Sequence, residues 1–366
     1  MKKKSHWANE VICLKKLFLL ILALLVLPCL ALAEPMPLEE AELFSVDLRE
    51  DGSRLIRVEG SAPLLVLDKE AEVPADLPEG TVVLRRPVDR LLVTFTNAMS
   101  LIEAVDALDA VRLTTYDLDS WYLPGTADAM KQGSLLYCGS WKSPDWELVL
   151  AEGTRLAVFN SQLDEQPEVR QKLEELGIPV LYDLSSHEAS PMGRLEWIRL
   201  YGVLLDRENE AEQIFREQQA LVGELQPAGE SKTVLFFHVA SDGSLYVRCA
   251  GDYMNAMLSR AGGVNAAADF WPDTTGSKAM EAEAFFALAR EADVLVYCWS
   301  FGGKPQTQAE LLERCPLLAE CKAVQSGSLW CTSPDWYQSS AEMGTMIRDM
   351  ALMLSGGTPV HLVRLP

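Results

Sequence analysis

The sequence predicts an α/β protein with two lobes joined by one long α-helix and a small β-rich appendage at the N-terminal end. Three observations predict this class. Short apolar runs alternate with segments of helical periodicity in both halves of the chain. A stretch without proline, 192–225, separates the halves, and residues 34–88 instead alternate like β-strands. A chain of 366 residues also suits two lobes of about 150 residues each.

The first 33 residues are predicted to be a signal peptide. A basic start, Lys2 to Lys4, precedes an apolar run, Leu17 to Leu32, that is shorter than the roughly 20 residues of a membrane span. The run ends in a small-x-small pattern, so we expect cleavage after Ala33 and an exported, periplasmic or cell-surface protein. An uncleaved anchor is the alternative. Cys29 follows Pro28 rather than a small residue, which disfavours a lipoprotein.

Charge and cysteine content restrict the partners and the redox state. The net charge is −21, and removal of the Lys-rich leader makes the exported part more acidic still. Such a surface repels phosphate backbones, which argues against nucleic-acid binding. Six of the eight Cys residues lie beyond the leader, mostly in apolar strand-like runs. We therefore expect mainly free thiols, with Cys315 and Cys321 as the only local pair to test.

The appendage and the first lobe follow in order. The alternating segments Leu43–Leu48 and Leu55–Val58 flank an acidic turn and predict a hairpin within 34–88. From 89 to 191 the pattern becomes strand, helix, strand. Strands are predicted at 91–95, 111–116, 135–138, 156–159 and 179–182, and helices at 97–108, 146–152 and 168–176. This alternation predicts a mainly parallel, Rossmann-like sheet covered on both faces.

The linking segment is assigned to 192–227. Leu195, Ile198, Tyr201 and Leu205 share one helical face, so we expect a single helix over 192–225, about 45 Å long. A rod of this kind would let a cleft open only slightly. The second Rossmann-like lobe, 228–366, repeats the α/β pattern. Its strands are predicted at 234–239, 245–249, 294–299 and 328–332, and its helices at 253–261, 280–290, 308–314 and 341–354.

Three stretches resemble the helix-linked (class III) periplasmic substrate-binding proteins of ABC importers. Gly177-Ile178-Pro179-Val180 followed by 194–205 is similar to the start of that family's linking helix. The segments 144–150 and 281–288 are similar to its two permease-docking segments, and the whole resemblance covers about 88–355. It implies an iron-siderophore, haem or cobalamin-like chelate as ligand, and a membrane permease as partner of a monomeric protein. Glu147 and Glu283 would be the docking carboxylates, with Glu281 as a competitor.

The candidate ligand site follows from strand ends, because ligands of open α/β sheets lie beyond the carboxyl ends of the strands. The loops there predict a set of ligand-binding residues: Asn97, Trp141, Asn160, Tyr253, Trp271, Trp299, Trp336 and Tyr337. Rigid aromatic rings suit a flat or macrocyclic ligand, although Trp271 and Trp330 also fit a lobe core. Only Lys142, Arg248 and Lys304 supply positive charge nearby, which argues against a highly anionic ligand.

No catalytic residue, metal site or resident cofactor is predicted. The chain lacks GxSxG, P-loop and GxGxxG motifs, and His238 lies inside an apolar run typical of a core strand. The expected function is ligand capture between the lobes and delivery to an importer, without catalysis. Two alternatives remain at this point: a chelatase-like enzyme that handles metal chelates, and an extracytoplasmic ligand sensor. Convergent His or Cys ligands would favour the enzyme, and the appendage is the only support for the sensor.

Overall fold

The computed structural model describes residues 34–225, 231–299 and 304–366. The predicted signal peptide and Cys29 lie outside these residues. The chain begins with a five-stranded sheet in the order β1 to β5, antiparallel except for the parallel pair β4–β5. The strands are β1 (Glu34–Pro35), β2 (Phe44–Leu48), β3 (Arg54–Val58), β4 (Leu64–Leu67) and β5 (Val82–Arg85). This sheet is the predicted appendage.

The appendage is packed onto the rest of the molecule rather than standing apart. One face of its sheet joins the main core, where the rings of Phe44 and Trp197 lie 4.9 Å apart. The other face is covered by its own loop, with Leu55, Leu65 and Leu67 in a small separate cluster. The alternation in β2 reflects one well-buried face, whereas β4 is apolar throughout because both of its faces are buried.

The first lobe is an all-parallel sheet in the order β12-β11-β6-β7-β8. Apolar clusters cover both of its faces, as the continuous apolar strand sequences predict. The chain order is β6 (Leu91–Val93), α1 (Thr96–Ala104), β7 (Val111–Thr114), α2 (Pro124–Gln132), β8 (Leu136–Tyr137), β9 (Gly139–Ser140), β10 (Ser143–Pro144), α3 (Trp146–Ala151), β11 (Leu156–Phe159), α4 (Pro167–Glu175) and β12 (Val180–Tyr182). Helix α2 was not predicted from the sequence; it begins at Pro124, a residue favoured in the first turn of a helix.

The linking segment is a helical hairpin, so the predicted single rod over 192–225 is wrong. Helix α5 (Pro191–Leu205) ends at Asp206, which adopts the left-handed conformation with φ 60°, and α6 (Glu208–Gly223) follows. The two helices run antiparallel, and Nε of Arg199 in α5 lies 2.8 Å from a carboxylate oxygen of Glu212 in α6. The hairpin buries Ala211 completely against α5, which a straight rod could not do.

Sequence periodicity failed at this break because the apolar spacing continues across it. The signal that marks it is the acidic first turn of α6, Glu208 and Glu210, which is typical of a helix start. Close packing then depends on glycine at two positions. A Cβ on Gly202 would lie 2.8 Å from the Cβ of Ala211, and one on Gly344 would lie 2.1 Å from the carbonyl oxygen of Gln218.

The second lobe has a mixed sheet in the order β16-β14-β13-β17-β18-β19, with β15 also paired to β13. Its centre, β13-β17-β18, is parallel, and antiparallel strands form the edges. The order along the chain is β13 (Thr233–Val239), β14 (Leu245–Arg248), α7 (Tyr253–Arg260), β15 (Val264–Asn265), β16 (Ser277–Ala279), α8 (Ala282–Glu291), β17 (Val294–Tyr297), α9 (Gln308–Arg314), α10 (Lys322–Gln325), β18 (Leu329–Thr332), α11 (Met343–Ser355) and β19 (Leu362–Arg364).

One continuous apolar core connects the lobes. It includes Val93 in the first sheet, Phe236 in the second, and buried residues of α1, α5, α6, α7 and α11 between them. Helices α5, α6 and α11 therefore form a shared layer rather than a single strut. All six cysteines from Cys138 onward are buried free thiols, so Cys315 and Cys321 are not bonded to each other.

Candidate functional site

A cavity of about 200 Å³ lies where the two lobes meet, beyond the carboxyl ends of their strands. The first lobe and the start of α5 line one side of it, and α7, the loop after β18 and α11 line the other. The lining residues are Asn97, Ser185, Ser186, Arg194, Tyr253, Trp336, Tyr337, Ser340, Met343 and Met346. This is the position at which α/β sheets bind their ligands.

Buried polar contacts hold the cavity wall in place on the side of the first lobe. Asp183, at the end of β12, is fully buried; it accepts hydrogen bonds from the Ser185 amide at 2.8 Å and the Tyr201 hydroxyl at 2.6 Å. Burial raises the pKa of the Asp183 carboxyl. Two donors of this kind fix the backbone of the turn, and with it the two serines that face the cavity.

Tyr253 and Trp336 form the opposite wall. Asp252 caps α7, since its carboxylate accepts from the amides of Met254 at 3.1 Å and Gly276 at 2.8 Å, and this fixes Tyr253 in the first turn. The Trp336 indole nitrogen donates to the Tyr253 hydroxyl at 3.2 Å. Trp336 is 1% exposed, so its ring is a rigid wall rather than a mobile lid.

Arg194 crosses the cavity floor from α5 to α7. Its guanidinium lies 4.0 Å from the ring centroid of Tyr253, and it donates to the backbone oxygens of Glu188 at 3.1 Å and Ser186 at 2.6 Å. Burial lowers the pKa of Arg194. From the sequence, Arg194 is assigned only to a helix motif and not to the site. A cation in the first turn opposes the helix dipole, and that unfavourable placement was the missed signal.

A second buried arginine stands behind the cavity wall. Arg248 donates to the Tyr337 hydroxyl and lies 3.5 Å from the Asp252 carboxylate. Burial by itself lowers the pKa of Arg248, but the surrounding Tyr337, Cys298 and Asp252 groups raise it above its ordinary value. Arg248 therefore has a charged partner and supports Tyr337, whereas Arg194 faces the cavity.

The lobes touch along one rim of the cavity. The Gln338 side chain accepts from the Tyr122 amide and donates to the Ser120 carbonyl, each at 2.8 Å. The rings of Tyr122 and Trp299 meet edge to face, with centroids 5.9 Å apart. These contacts close the space between the lobes on this side.

A sequence model of the family described as periplasmic binding protein matches residues 141–335, which is more than half of the chain. The chain belongs to the periplasmic binding protein family. The family name implies a location outside the cytoplasm. No helix within 34–225, 231–299 or 304–366 is long and apolar enough to cross a membrane.

Two relatives and several solved structures are similar to this chain. Two uncharacterized lipoproteins of Methanocaldococcus jannaschii are 25% identical over 297 residues (78% of this chain, 71% of the relative) and 23% identical over 315 residues (79% and 72%). A periplasmic binding protein from Veillonella parvula matches at TM-score 0.62 and 13% identity, covering 87% of this chain and 99% of its own. A periplasmic heme binding protein from Pseudomonas aeruginosa matches at TM-score 0.58 and 20% identity, covering 76% of this chain and 98% of its own. These structures confirm the predicted two-lobed α/β class.

The structure brings half of the predicted ligand residues of this binding protein together. Asn97, Tyr253, Trp336 and Tyr337 line the cavity, and their role in binding stays a prediction. The other four lie outside the cavity lining. Trp141 packs on the first lobe beneath the Lys142 ammonium, Asn160 caps a short helix, Trp271 packs on the second lobe, and Trp299 contacts Tyr122. His238 is half-buried and stacks on Tyr246 at 4.8 Å instead of joining an apolar core.

Each of the two predicted docking carboxylates lies in the first turn of a helix, one in each lobe. Glu147 lies in the first turn of α3, and Glu283 lies in the first turn of α8; both are exposed. Glu281, the competitor, is the residue before α8 and is also exposed. Among the described residues, no group of three or more His, Cys, Asp or Glu side chains is arranged to hold a metal ion.

A buried histidine holds the loop that carries Trp336. The two ring nitrogens of His361 lie 3.2 Å from carboxylate oxygens of Asp335 and Glu342, and the ring is 2% exposed. Although burial works against it, hydrogen bonds to Asp335 and Glu342 raise the pKa of His361 from 6.5 to about 9. The hydrogen bond from His361 lowers the pKa of Asp335 in turn.

We expect this histidine to make stability depend on alkaline pH. Because the folded pKa is raised, the contribution is fully present below 6.5 and is lost as the pH rises through about 9. Wild-type protein should be more stable than His361→Gln by about 2–3 kcal/mol near pH 6, and the difference should shrink strongly near pH 10. Urea unfolding at both pH values measures it, with the exposed His187→Gln as control. An unchanged difference would contradict the prediction.

Proposed function

We propose that this protein is the substrate-binding component of an ABC importer. It captures an iron-siderophore, haem or cobalamin-like chelate between its lobes and delivers it, without chemical change, to a membrane permease. The observation that carries this proposal is the cavity lined jointly by both lobes, with Tyr253, Trp336 and Tyr337 around it. Family membership and the two-lobed fold support the same function.

The size of the cavity indicates how capture works. Ligand pockets are commonly about 300–1,000 Å³, whereas this cavity measures about 200 Å³. The rim contacts of Tyr122 with Trp299 and Gln338 must therefore separate to admit a macrocycle. The shared layer of α5, α6 and α11 packs against both lobes, so we expect the opening movement to be small.

Delivery uses the two exposed carboxylates. We assign Glu147 and Glu283 to contacts with basic residues of the permease, one contact on each lobe of a single protomer. Two separated carboxylates on one body set the orientation of docking more than its affinity.

Export precedes these steps. We propose cleavage of the leader after Ala33. The alternative is a lipid on Cys29, and the lipoprotein names of both archaeal relatives point to that alternative. The intact mass of the mature chain decides between them, because the two products begin at Glu34 and at a lipid-modified Cys29.

The direct test is to purify the protein from its own source and to record its native mass and its visible absorption spectrum. We expect one bound chelate per chain and a metal-chelate absorption band that disappears on denaturation. The same measurement on Trp336→Ala protein should show weaker retention, since this ring forms a cavity wall. Protein that carries no ligand and binds no haem, cobalamin or ferric siderophore on titration would contradict the proposed function.

A further inference from the structure

The loop that leads from β18 to α11, residues 335–342, is held against the first lobe by hydrogen bonds, and we call it the interlobe loop. The Thr96 hydroxyl of α1 donates to the Tyr337 carbonyl at 3.1 Å. Five residues before the end of α1, the Ser100 hydroxyl accepts from the Ala341 amide at 3.2 Å. Both hydrogen bonds therefore run from the second lobe to one helix of the first lobe.

The same loop contacts a second element of the first lobe and forms part of the cavity. Gln338 supplies the two hydrogen bonds to Tyr122 and Ser120 at the rim. Trp336 and Ser340 line the cavity on either side of Gln338. Four hydrogen bonds thus join the interlobe loop to the first lobe, and separation of the lobes at the cavity has to break all of them.

One buried side chain holds both ends of the interlobe loop. The ring nitrogens of His361 lie 3.2 Å from carboxylate oxygens of Asp335, where the loop begins, and of Glu342, where it ends. His361 is itself fixed, because its amide donates to the Asp349 carboxylate of α11 at 2.7 Å and its carbonyl accepts from the Ser333 amide at 2.9 Å. A buried polar network with these partners makes the loop rigid and holds its interlobe groups in position.

We propose that the interlobe loop is a latch that sets how often the two lobes separate, and that His361 is its positioning residue. This inference rests on the proposed function and adds a control of ligand exchange at the same cavity. Each hydrogen bond of the latch contributes little alone. Four of them on a loop fixed at both ends act together. His361 does not line the cavity, so its effect on exchange passes through the loop.

The test is amide hydrogen exchange of the full mature protein at neutral pH, resolved residue by residue. We expect His361→Gln to speed exchange of the Ala341 amide and of the Tyr122 amide by about five- to tenfold, the size of effect that loss of one hydrogen bond produces. Thr96→Val removes a donor to the loop and should speed the same two amides. The double variant should show less than the product of the two effects, because both changes weaken one latch.

The matched control is Thr81→Val in the appendage, which removes a hydroxyl that also donates to a backbone carbonyl, that of Pro78 at 2.7 Å. This variant should leave the Tyr122 amide unchanged, and its combination with His361→Gln should behave as His361→Gln alone. Faster exchange confined to the second lobe in His361→Gln would overturn the latch, since Tyr122 lies in the first lobe. Glu342→Gln, a change of an exposed side chain, gives the same comparison if His361→Gln fails to fold.

Haem serves as the probe that separates the latch from the proposed function. Because the lobes must part for both entry and exit, Thr96→Val should raise the rates of haem uptake and release alike and change the dissociation constant less than either rate. The expected amide exchange without binding of haem, cobalamin or a ferric siderophore would support the latch and contradict chelate import. Haem binding with unchanged amide exchange in the variants would overturn the latch and leave import standing.

Discussion

Replacing Glu196 by Gln is expected to lower the free energy of unfolding by about 2–3 kcal/mol, because it removes a buried carboxylate that accepts three backbone amides and pairs with Arg199. The Glu196 side chain is 0% exposed and lies 2.5 Å from a guanidinium nitrogen of Arg199. Its carboxylate also accepts from the amides of Glu39 at 2.8 and 3.1 Å, Glu40 at 2.8 Å and Ala41 at 2.8 Å. A Gln side chain carries no charge, and its NH2 group would face backbone N–H groups that need an acceptor. Urea unfolding followed by tryptophan fluorescence measures the loss.

The matched control is Glu210→Gln, an exposed position on the adjacent α6, which should change stability by less than about 0.5 kcal/mol. Equal stability of Glu196→Gln and this control would show that the appendage is not held by the buried carboxylate. Because three consecutive amides of residues 39–41 meet Glu196, we also expect limited proteolysis to cut the appendage faster in Glu196→Gln than in wild-type protein.

Reversing the charge of Glu147 and Glu283 together is expected to abolish import while leaving ligand affinity unchanged. Both side chains are exposed in the first turns of α3 and α8, and neither lines the cavity. Two lysines facing basic permease residues replace attraction with repulsion at both ends of the docking surface. Uptake of the bound chelate into cells or vesicles containing the permease gives the readout, and titration of the purified variant gives the affinity.

The control for this double variant carries the same change of charge elsewhere. The double variant Glu174→Lys with Glu291→Lys changes exposed carboxylates near the C-terminal ends of α4 and α8. Protein with these two changes should support normal import. Normal uptake by the Glu147 and Glu283 variant would remove the docking assignment. Loss of uptake in both double variants would indicate a general effect of charge instead of a docking contact.

The appendage also joins the two lobes, which affects how far they separate. Glu40 contacts the Ser190 hydroxyl at the start of α5, and its carboxylate lies 3.0 Å from the guanidinium of Arg260 in α7. One residue of the appendage therefore contacts the first lobe's linking helix and the second lobe at once. Together with the shared helical layer, this contact leads us to expect small opening movements; the same expectation was drawn from the sequence on a single rod, which the hairpin replaces.

The sequence by itself determined the class of the fold and the strand ends at which the cavity lies. Alternating apolar strands and amphipathic helices specify parallel sheets through local periodicity, and Asn97, Tyr253, Trp336 and Tyr337 were found because they follow strands. These features depend on neighbours in the chain, which a sequence displays directly.

Only the tertiary structure decided the rest. The break at Asp206 depends on Ala211 packing against Gly202, and the apolar spacing is the same whether the helix continues or turns back. Trp141 and Trp271 follow the same strand-end rule as Trp336, yet they pack on the outer cores of the lobes. Arg194 became a candidate only once Tyr253, 59 positions away in the chain, was found beneath it. Contacts between distant segments set these outcomes, and periodicity carries no information about them.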